Sequence, residues 1–348
     1  MPLPPRWFRR IVLGPLMVAL AAVLLASLPV LLPVVLVLSP ILPGRLRLLR
    51  ITWAVIVYVV WDATALIVLF GLWLASGFGW KKRSPAFQRA HYLACGAFLQ
   101  SLYQLLRGAL NVDIEIVGTD PDVALPGRPE IVVCRHAGPG DSFILIHSLV
   151  NRFDREPRIV LKDALQWDPA IDVLLNRLPT RFIAPGRTPG QDIEKQIFDV
   201  TVGLDPNDAL VIFPEGGNFT PKRRIKAINR LRALGLEKMA RRAENMRHVL
   251  APKPGGLNAA IEAAPDAGVI FVAHTGLDKM LTVGDVWREL PTDKTIMMSF
   301  WSVPPEEIPR SEQERVEWLF DWWKRIDDWI EAHQPQPARP MGPKRDRR

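Results

Sequence analysis

The chain has 348 residues, 49% of them hydrophobic, so size does not limit the fold and ample apolar material is available for a core. A formal net charge of +8 excludes an acidic, self-solvating chain and suits an anionic partner, a description that nucleic acid, anionic lipid and phosphorylated metabolites all meet. The N-terminal sequence decides for lipid and sets nucleic acid aside.

Residues 11–43 contain no charged side chain and exceed the roughly 20 residues that a membrane helix needs, and a second apolar run covers residues 51–79. Arg6, Arg9 and Arg10 would also fit the basic end of a secretory signal peptide. The first run is too long for the apolar part of such a peptide, and cleavage within it would leave the second run attached. Residues 1–80 are therefore expected to form a membrane anchor of two apolar segments. Basic clusters precede, separate and follow the two runs, so a plain hairpin conflicts with retention of positive charge on one side. Pro29, Pro33, Pro40 and Pro43 supply bends that would let the first segment dip into the bilayer, and the choice between span and half-span stays open. Asp62, inside the second run, is expected to face a neighbouring helix or a polar cavity. The two cysteines, Cys95 and Cys134, have no metal-ligand spacing and fit a reducing compartment.

Residues 81–334 are expected to form one α/β domain. Residues 86–110 carry apolar positions at helical spacing, among them Phe87, Ala90, Leu93, Ala97, Leu102 and Leu105. Short apolar runs rich in β-branched residues follow at 112, 130, 158, 181, 209 and 269, with helical patterns after residues 142 and 222. A last helix starts at a capping box, Ser311 with Glu314, and presents Val316, Leu319, Phe320, Trp323, Ile326 and Ile330 on one face. The additional tryptophans at 318, 322 and 329 are candidates for interfacial membrane contact. Residues 335–348, rich in proline and basic side chains, read as a disordered tail.

Two segments carry chemistry. In RHAGPGD, His136 leaves the end of an apolar strand and Asp141 follows across a glycine and proline turn. That spacing can fold the carboxylate back onto one imidazole nitrogen, fix the tautomer and leave the other nitrogen free to accept a proton. In VIFPEGGNFTPKRR, a strand breaks at Pro214 into a glycine turn with Glu215, Gly216, Gly217 and Asn218, and a basic helix begins with Lys222, Arg223 and Arg224. Backbone N–H groups of such a turn can approach a ligand, and the basic side chains can neutralise a phosphate.

Together these segments resemble the HX4D and FPEGTR blocks of the 1-acylglycerol-3-phosphate acyltransferase family, the glycerolipid acyltransferases. RFIAPGR (181–187), HVLAPKPGG (248–256) and KDALQWDP, with Lys162, Leu165 and Pro169, are similar to lesser blocks of the same family. The resemblance covers residues 130 to about 275. It implies a mixed sheet flanked by helices, and acyl transfer from acyl-CoA, or from acyl carrier protein, to the free hydroxyl of a lysophospholipid without an acyl-enzyme. The acceptor implied first is 1-acylglycerol-3-phosphate, giving phosphatidic acid, with another lysophospholipid as the alternative. By the same resemblance His136 is the base, Asp141 orients it, and Arg187, Glu215, Gly216, Gly217, Asn218 and Lys222 meet substrate. No metal or cofactor is implied, acyl-CoA being a co-substrate, and the catalytic domain would face the cytoplasm. Backbone donors near Gly138 and Gly140 are candidates for the oxyanion.

Two departures bear on the acceptor. Gly217 and Asn218 stand where the family has threonine and arginine, so a cation is missing from the turn, and Arg187 lies two residues late in its block. The oligomeric state has no sequence signature. A serine hydrolase is disfavoured, because GDSF at 140–143 lacks a partner: no aspartate stands three positions before any histidine, and no G-x-S-x-G elbow occurs. A noncatalytic lipid-binding scaffold would not need both His136 and Asp141.

Overall fold

The computed structural model describes residues 3–41, 46–81, 84–110, 112–118, 125–183, 193–276 and 294–334. Seven strands form one sheet in the order β1-β7-β6-β2-β5-β3-β4. Their ranges are β1 Val112–Gly118, β2 Glu130–Cys134, β3 Glu156–Lys162, β4 Arg181–Ile183, β5 Asp208–Ile212, β6 Gly268–Thr275 and β7 Lys294–Val303. All neighbours pair in parallel except β6 and β7. Six of the seven were legible as β-branched runs. β7, KTIMMSFWSV, was not anticipated, because methionine, serine and aromatic residues dilute its β-branched content.

β2, β5 and β6 are buried along their whole length, as expected for central strands covered on both faces. The pleat sends alternate residues to opposite layers. Ile131, Val133, Leu210, Ile212, Val269 and Phe271 face the layer of α9 (Pro254–Ala263) and α10 (Glu312–Ala332), which supply Leu257, Ala260, Ile261, Leu319, Phe320, Trp323, Ile326 and Ile330. Val132, Cys134, Ala209, Val211, Ile270 and Val272 face α4 (Pro139–Asn151), with Ile144, Leu145 and Leu149. Both cysteines are buried free thiols.

The capping box opens α10 as the sequence indicates, with Ser311 Oγ accepting from the Glu314 backbone N–H. Trp318, Trp322 and Trp329 are half-buried and pack on the sheet. Trp322 stacks on Phe271 at 4.5 Å, Trp318 meets the same ring edge-on, and Trp329 meets Trp301. The basic helix after Thr220 is also shorter than its pattern suggests. It breaks at Gly235, whose φ of 73° ends α7 (Pro221–Ala233) before α8 (Glu237–Glu244) begins.

Two N-terminal helices, α1 (Arg6–Leu38) and α2 (Arg47–Ala75), are long and apolar enough to cross a membrane. Pro29 and Pro33 lie inside α1, which continues through both; Pro43 falls outside the described residues. The pair is fastened to the domain by polar contacts at α5 (Pro169–Leu175). Buried Arg9 reaches Asp172 at 2.6 Å and Gln166 at 2.9 Å, and Arg10 approaches the second Asp172 oxygen. Asp62 is fully buried and accepts from the Ala170 backbone N–H at 3.3 Å, while Tyr58 donates to Asp168. Arg177 donates to the Leu69 carbonyl at 2.7 Å. The acid in the second apolar run therefore belongs to a docking contact, as its sequence setting suggested. Behind α2, α3 (Pro85–Leu110) receives the Trp61 indole N–H at Phe98. The tail from residue 335 is outside the described residues.

Removing one partner from a buried ion pair leaves the other charge uncompensated. Asp172→Ala is expected to destabilise the detergent-solubilised protein by about 3–5 kcal/mol, read as a lower denaturant midpoint and as faster protease cleavage between α2 and the domain.

Candidate active site

The site forms where β2, β5 and β6 end. Parallel pairing of Val133 with Ile212 and of Cys134 with Val272 brings three strand ends to the same edge of the sheet. The segments that follow them carry His136, the Phe213–Asn218 turn and His274. Ligands of open parallel sheets bind outside the carboxyl ends of the strands, at this kind of junction.

His136 sits between β2 and α4. Its Nδ1 lies 3.0 Å from Asp141 Oδ2 and 3.2 Å from Oδ1. Asp141 is itself fixed by the start of α4: Oδ2 accepts the N–H groups of Ala137 at 2.6 Å and Gly138 at 2.9 Å, and Oδ1 accepts that of Ser142 at 2.6 Å. Burial would raise the Asp141 pKa, but the hydrogen bond from His136 and the nearby His274 and Gly138 N–H outweigh it and hold the group at about 2. A carboxylate this firmly ionised orders Nδ1–H toward itself and leaves Nε2 as the basic nitrogen. Among the described residues nothing bonds to Nε2, and the His136 side chain keeps 15% of its surface exposed. The Phe213 ring tilts against the imidazole at 4.7 Å and limits its rotation.

The glycine turn is tied directly to this dyad. Phe219 N–H donates to the His136 carbonyl at 2.7 Å, and Lys253 N–H donates to the Pro214 carbonyl at 2.9 Å. Gly216 adopts a φ of 68°, the region in which a side chain is strained. Glu215 is buried beneath the turn instead of lying at its surface. Burial pushes its carboxyl up to about 8, against the opposing influence of the Arg135 guanidinium and the backbone amides of Leu250 and His136.

The sequence-assigned residues separate accordingly. His136, Asp141, Glu215, Gly216, Gly217 and Asn218 come together. Lys222 is exposed on the first turn of α7. Of its basic neighbours, Arg224 is engaged by the carbonyls of Met246 and Glu244, each at 2.6 Å, and Arg223 folds back to the Asn218 carbonyl at 3.0 Å. Arg187 lies outside the described residues. Gly138 cannot serve an oxyanion while its N–H is held by Asp141, so that expectation narrows to Gly140. Ser142 uses its N–H, and its hydroxyl at 3.4 Å, on the same carboxylate, as a helix-start residue. His274, at the end of β6, lies 3.7 Å from Asp141 Oδ2. Lys253 was passed over inside a proline and glycine block. Its signal was a lone cation between two prolines, the second of which precedes a glycine pair. His91, His147 and His248 have other partners, namely the Phe87 carbonyl, Gln100 and Glu331. Among the described residues no cluster of three or more metal-ligating side chains occurs.

Residues 115–275 match the family model described as Acyltransferase. Over these residues the chain resembles the acyltransferase family. The matched segment runs from β1 to the end of β6 and contains every described residue of the dyad and turn. The fold is similar to the crystal structure of the 1-acyl-sn-glycerophosphate (LPA) acyltransferase PlsC from Thermotoga maritima, at a TM-score of 0.50 and 14% sequence identity, over 82% of this chain and 97% of that one. No curated protein matches the sequence.

Glu215 yields a signed pH prediction. An acid whose folded pKa is raised favours the folded state fully below its unfolded value near 4.5, and that contribution is lost as pH rises through about 8. Glu215→Gln is therefore expected to gain thermal stability relative to the parent protein between pH 5 and pH 9. Melting curves at the two pH values check this; a constant offset would mean that the carboxyl is already ionised at pH 5.

Proposed function

We propose that the domain transfers a fatty acyl group from an acyl thioester, acyl-CoA or acyl carrier protein, to the free hydroxyl of a lysophospholipid, 1-acylglycerol-3-phosphate first among them. The observation that carries this reading is the His136–Asp141 dyad, held with Nε2 uncovered beside the glycine turn. The name of the T. maritima protein with the similar fold supports a lysophosphatidic acid acceptor.

In this mechanism the acceptor hydroxyl lies against His136 Nε2. As its oxygen attacks the thioester carbonyl, Nε2 takes the proton and the imidazolium is stabilised by Asp141. The C–S bond then breaks, and the same proton passes to the departing thiolate. Atoms balance without an acyl-enzyme: ester and thiol form from alcohol and thioester. General-base assistance contributes about 10² to 10⁴ fold, and positioning of two bound reactants supplies much of the rest. Gly216, Gly217 and Asn218 form the floor over which the head group lies, Glu215 braces that floor from below, and Lys222 adds charge at its margin, while Arg187 stays a proposed phosphate contact from outside the described residues.

The two apolar helices suit an enzyme whose acceptor and product both reside in a bilayer. With α1 and α2 seated in the membrane and docked on α5, the domain is held against the surface from which the lysophospholipid is drawn, on the cytoplasmic side where acyl thioesters are supplied.

The test is acyl transfer by purified protein from labelled acyl-CoA and acyl carrier protein to glycerol-3-phosphate and a set of lysophospholipids. Product is expected with 1-acylglycerol-3-phosphate, and His136→Ala should lower kcat by at least about 10² fold with little change in acceptor KM. Transfer that survives in His136→Ala, or none with any acceptor in a folded protein, would contradict the proposal.

A further inference from the structure

Gly217 and Asn218 replace the threonine and arginine of the family block, and the structure shows what occupies the space. Arg223, one turn into α7, folds back so that Nη1 donates to the Asn218 carbonyl at 3.0 Å. A Cβ added to Gly217 would stand 3.0 Å from that same nitrogen. Lys253 brings Nζ to 2.6 Å from the place a Cβ on Gly216 would take. Each glycine thus makes room for one cation, and both cations stand at the turn whose Phe219 N–H is bonded to His136.

Among the described residues no carboxylate forms an ion pair with Arg223 or Lys253. Burial, and after it the nearby positive charge of Arg230, lower the Lys253 pKa. Neighbouring positive charges on a partly buried surface repel one another unless an anion lies between them. Arg224, by contrast, is satisfied by two backbone carbonyls and is not available to a ligand.

We propose that Arg223 and Lys253 form a two-sided clamp for the phosphate of the lipid acceptor, and that the loss of arginine at Asn218 and of threonine at Gly217 is one compensated change. The clamp rests on the acyl-transfer reading for the identity of its ligand. The anion is a phosphomonoester: the guanidinium fork and the ammonium point charge provide several donors around one group. The phosphates of a CoA donor have the same chemistry and are the alternative source.

Equilibrium binding separates these possibilities without requiring turnover. Labelled 1-acylglycerol-3-phosphate, monoacylglycerol and acyl-CoA are titrated separately against the detergent-solubilised full chain, as parent protein, Arg223→Gln and Lys253→Met, with melting curves as the folding control. Arg223 is exposed on α7, so Arg223→Gln should melt with the parent. Each variant is expected to lose at least about tenfold in affinity for 1-acylglycerol-3-phosphate, the scale of a lost charge-assisted hydrogen bond, and at least fivefold less for monoacylglycerol. Equal losses for both lipids, or no loss, would overturn the clamp, and a loss confined to acyl-CoA would overturn its assignment to the acceptor. A parent protein that binds the phospholipid but transfers no acyl group would instead defeat the acyl-transfer reading and leave the clamp standing.

Discussion

The site depends on where one buried carboxylate can place its charge. Asp141 has almost no contact with solvent, yet it stays ionised because an imidazole and three backbone N–H groups converge on its two oxygens. Those N–H groups exist to be used because β2 ends at Cys134 and α4 begins at Pro139, leaving a short turn whose donors have no helical partners. The carboxylate thus caps the helix and orients the base with the same two atoms. A histidine held in this way loses rotational freedom and has its basic nitrogen defined before any substrate arrives, which is the preorganisation that general-base chemistry requires.

Sheet topology extends this constraint to the head-group side of the site. β2 lies between β5 and β6, so the glycine turn after β5 and His274 at the end of β6 reach the dyad from opposite flanks. The bond from the Phe219 N–H to the His136 carbonyl ties the histidine segment to the glycine turn. Further away, the polar seam of Arg9, Asp62, Asp168 and Asp172 ties two apolar helices to α5. In the proposed enzyme this seam transmits the position of the bilayer to the domain. Three connections, at Asp141, at Phe219 and at α5, thus join the histidine, the glycine turn and the two apolar helices.

Much of this was legible in the sequence, for physical reasons that differ between elements. The central strands announce themselves because burial on both faces requires uninterrupted apolar residues, as in EIVVC and VIFVAH. α10 was legible down to its capping box, and five of the six residues assigned to its inner face are buried, with Asp327 buried beside them. β7 was hidden because its apolar residues are more often methionine or aromatic than β-branched. The break at Gly235 was hidden because helical periodicity continues on both sides of it. At the site, His136 and Asp141 are separated by a single turn, so local sequence was enough to pair them. Arg223 was legible in the basic segment after Thr220, whereas Lys253 reaches the same turn only through tertiary folding, so a reading that compared position 218 with its family counterpart could see the lost arginine but not the second cation.

The central claim, that Asp141 fixes His136 as a base with a free Nε2, is tested most directly by nitrogen NMR of the protein labelled at histidine, with assignment of His136 by its loss in His136→Gln. At a pH where the imidazole is neutral, the account predicts a single tautomer with the proton on Nδ1 and an unprotonated Nε2, replaced by a tautomer mixture in Asp141→Asn. A proton resident on Nε2 in the parent protein, or a tautomer ratio indifferent to Asp141→Asn, would contradict it.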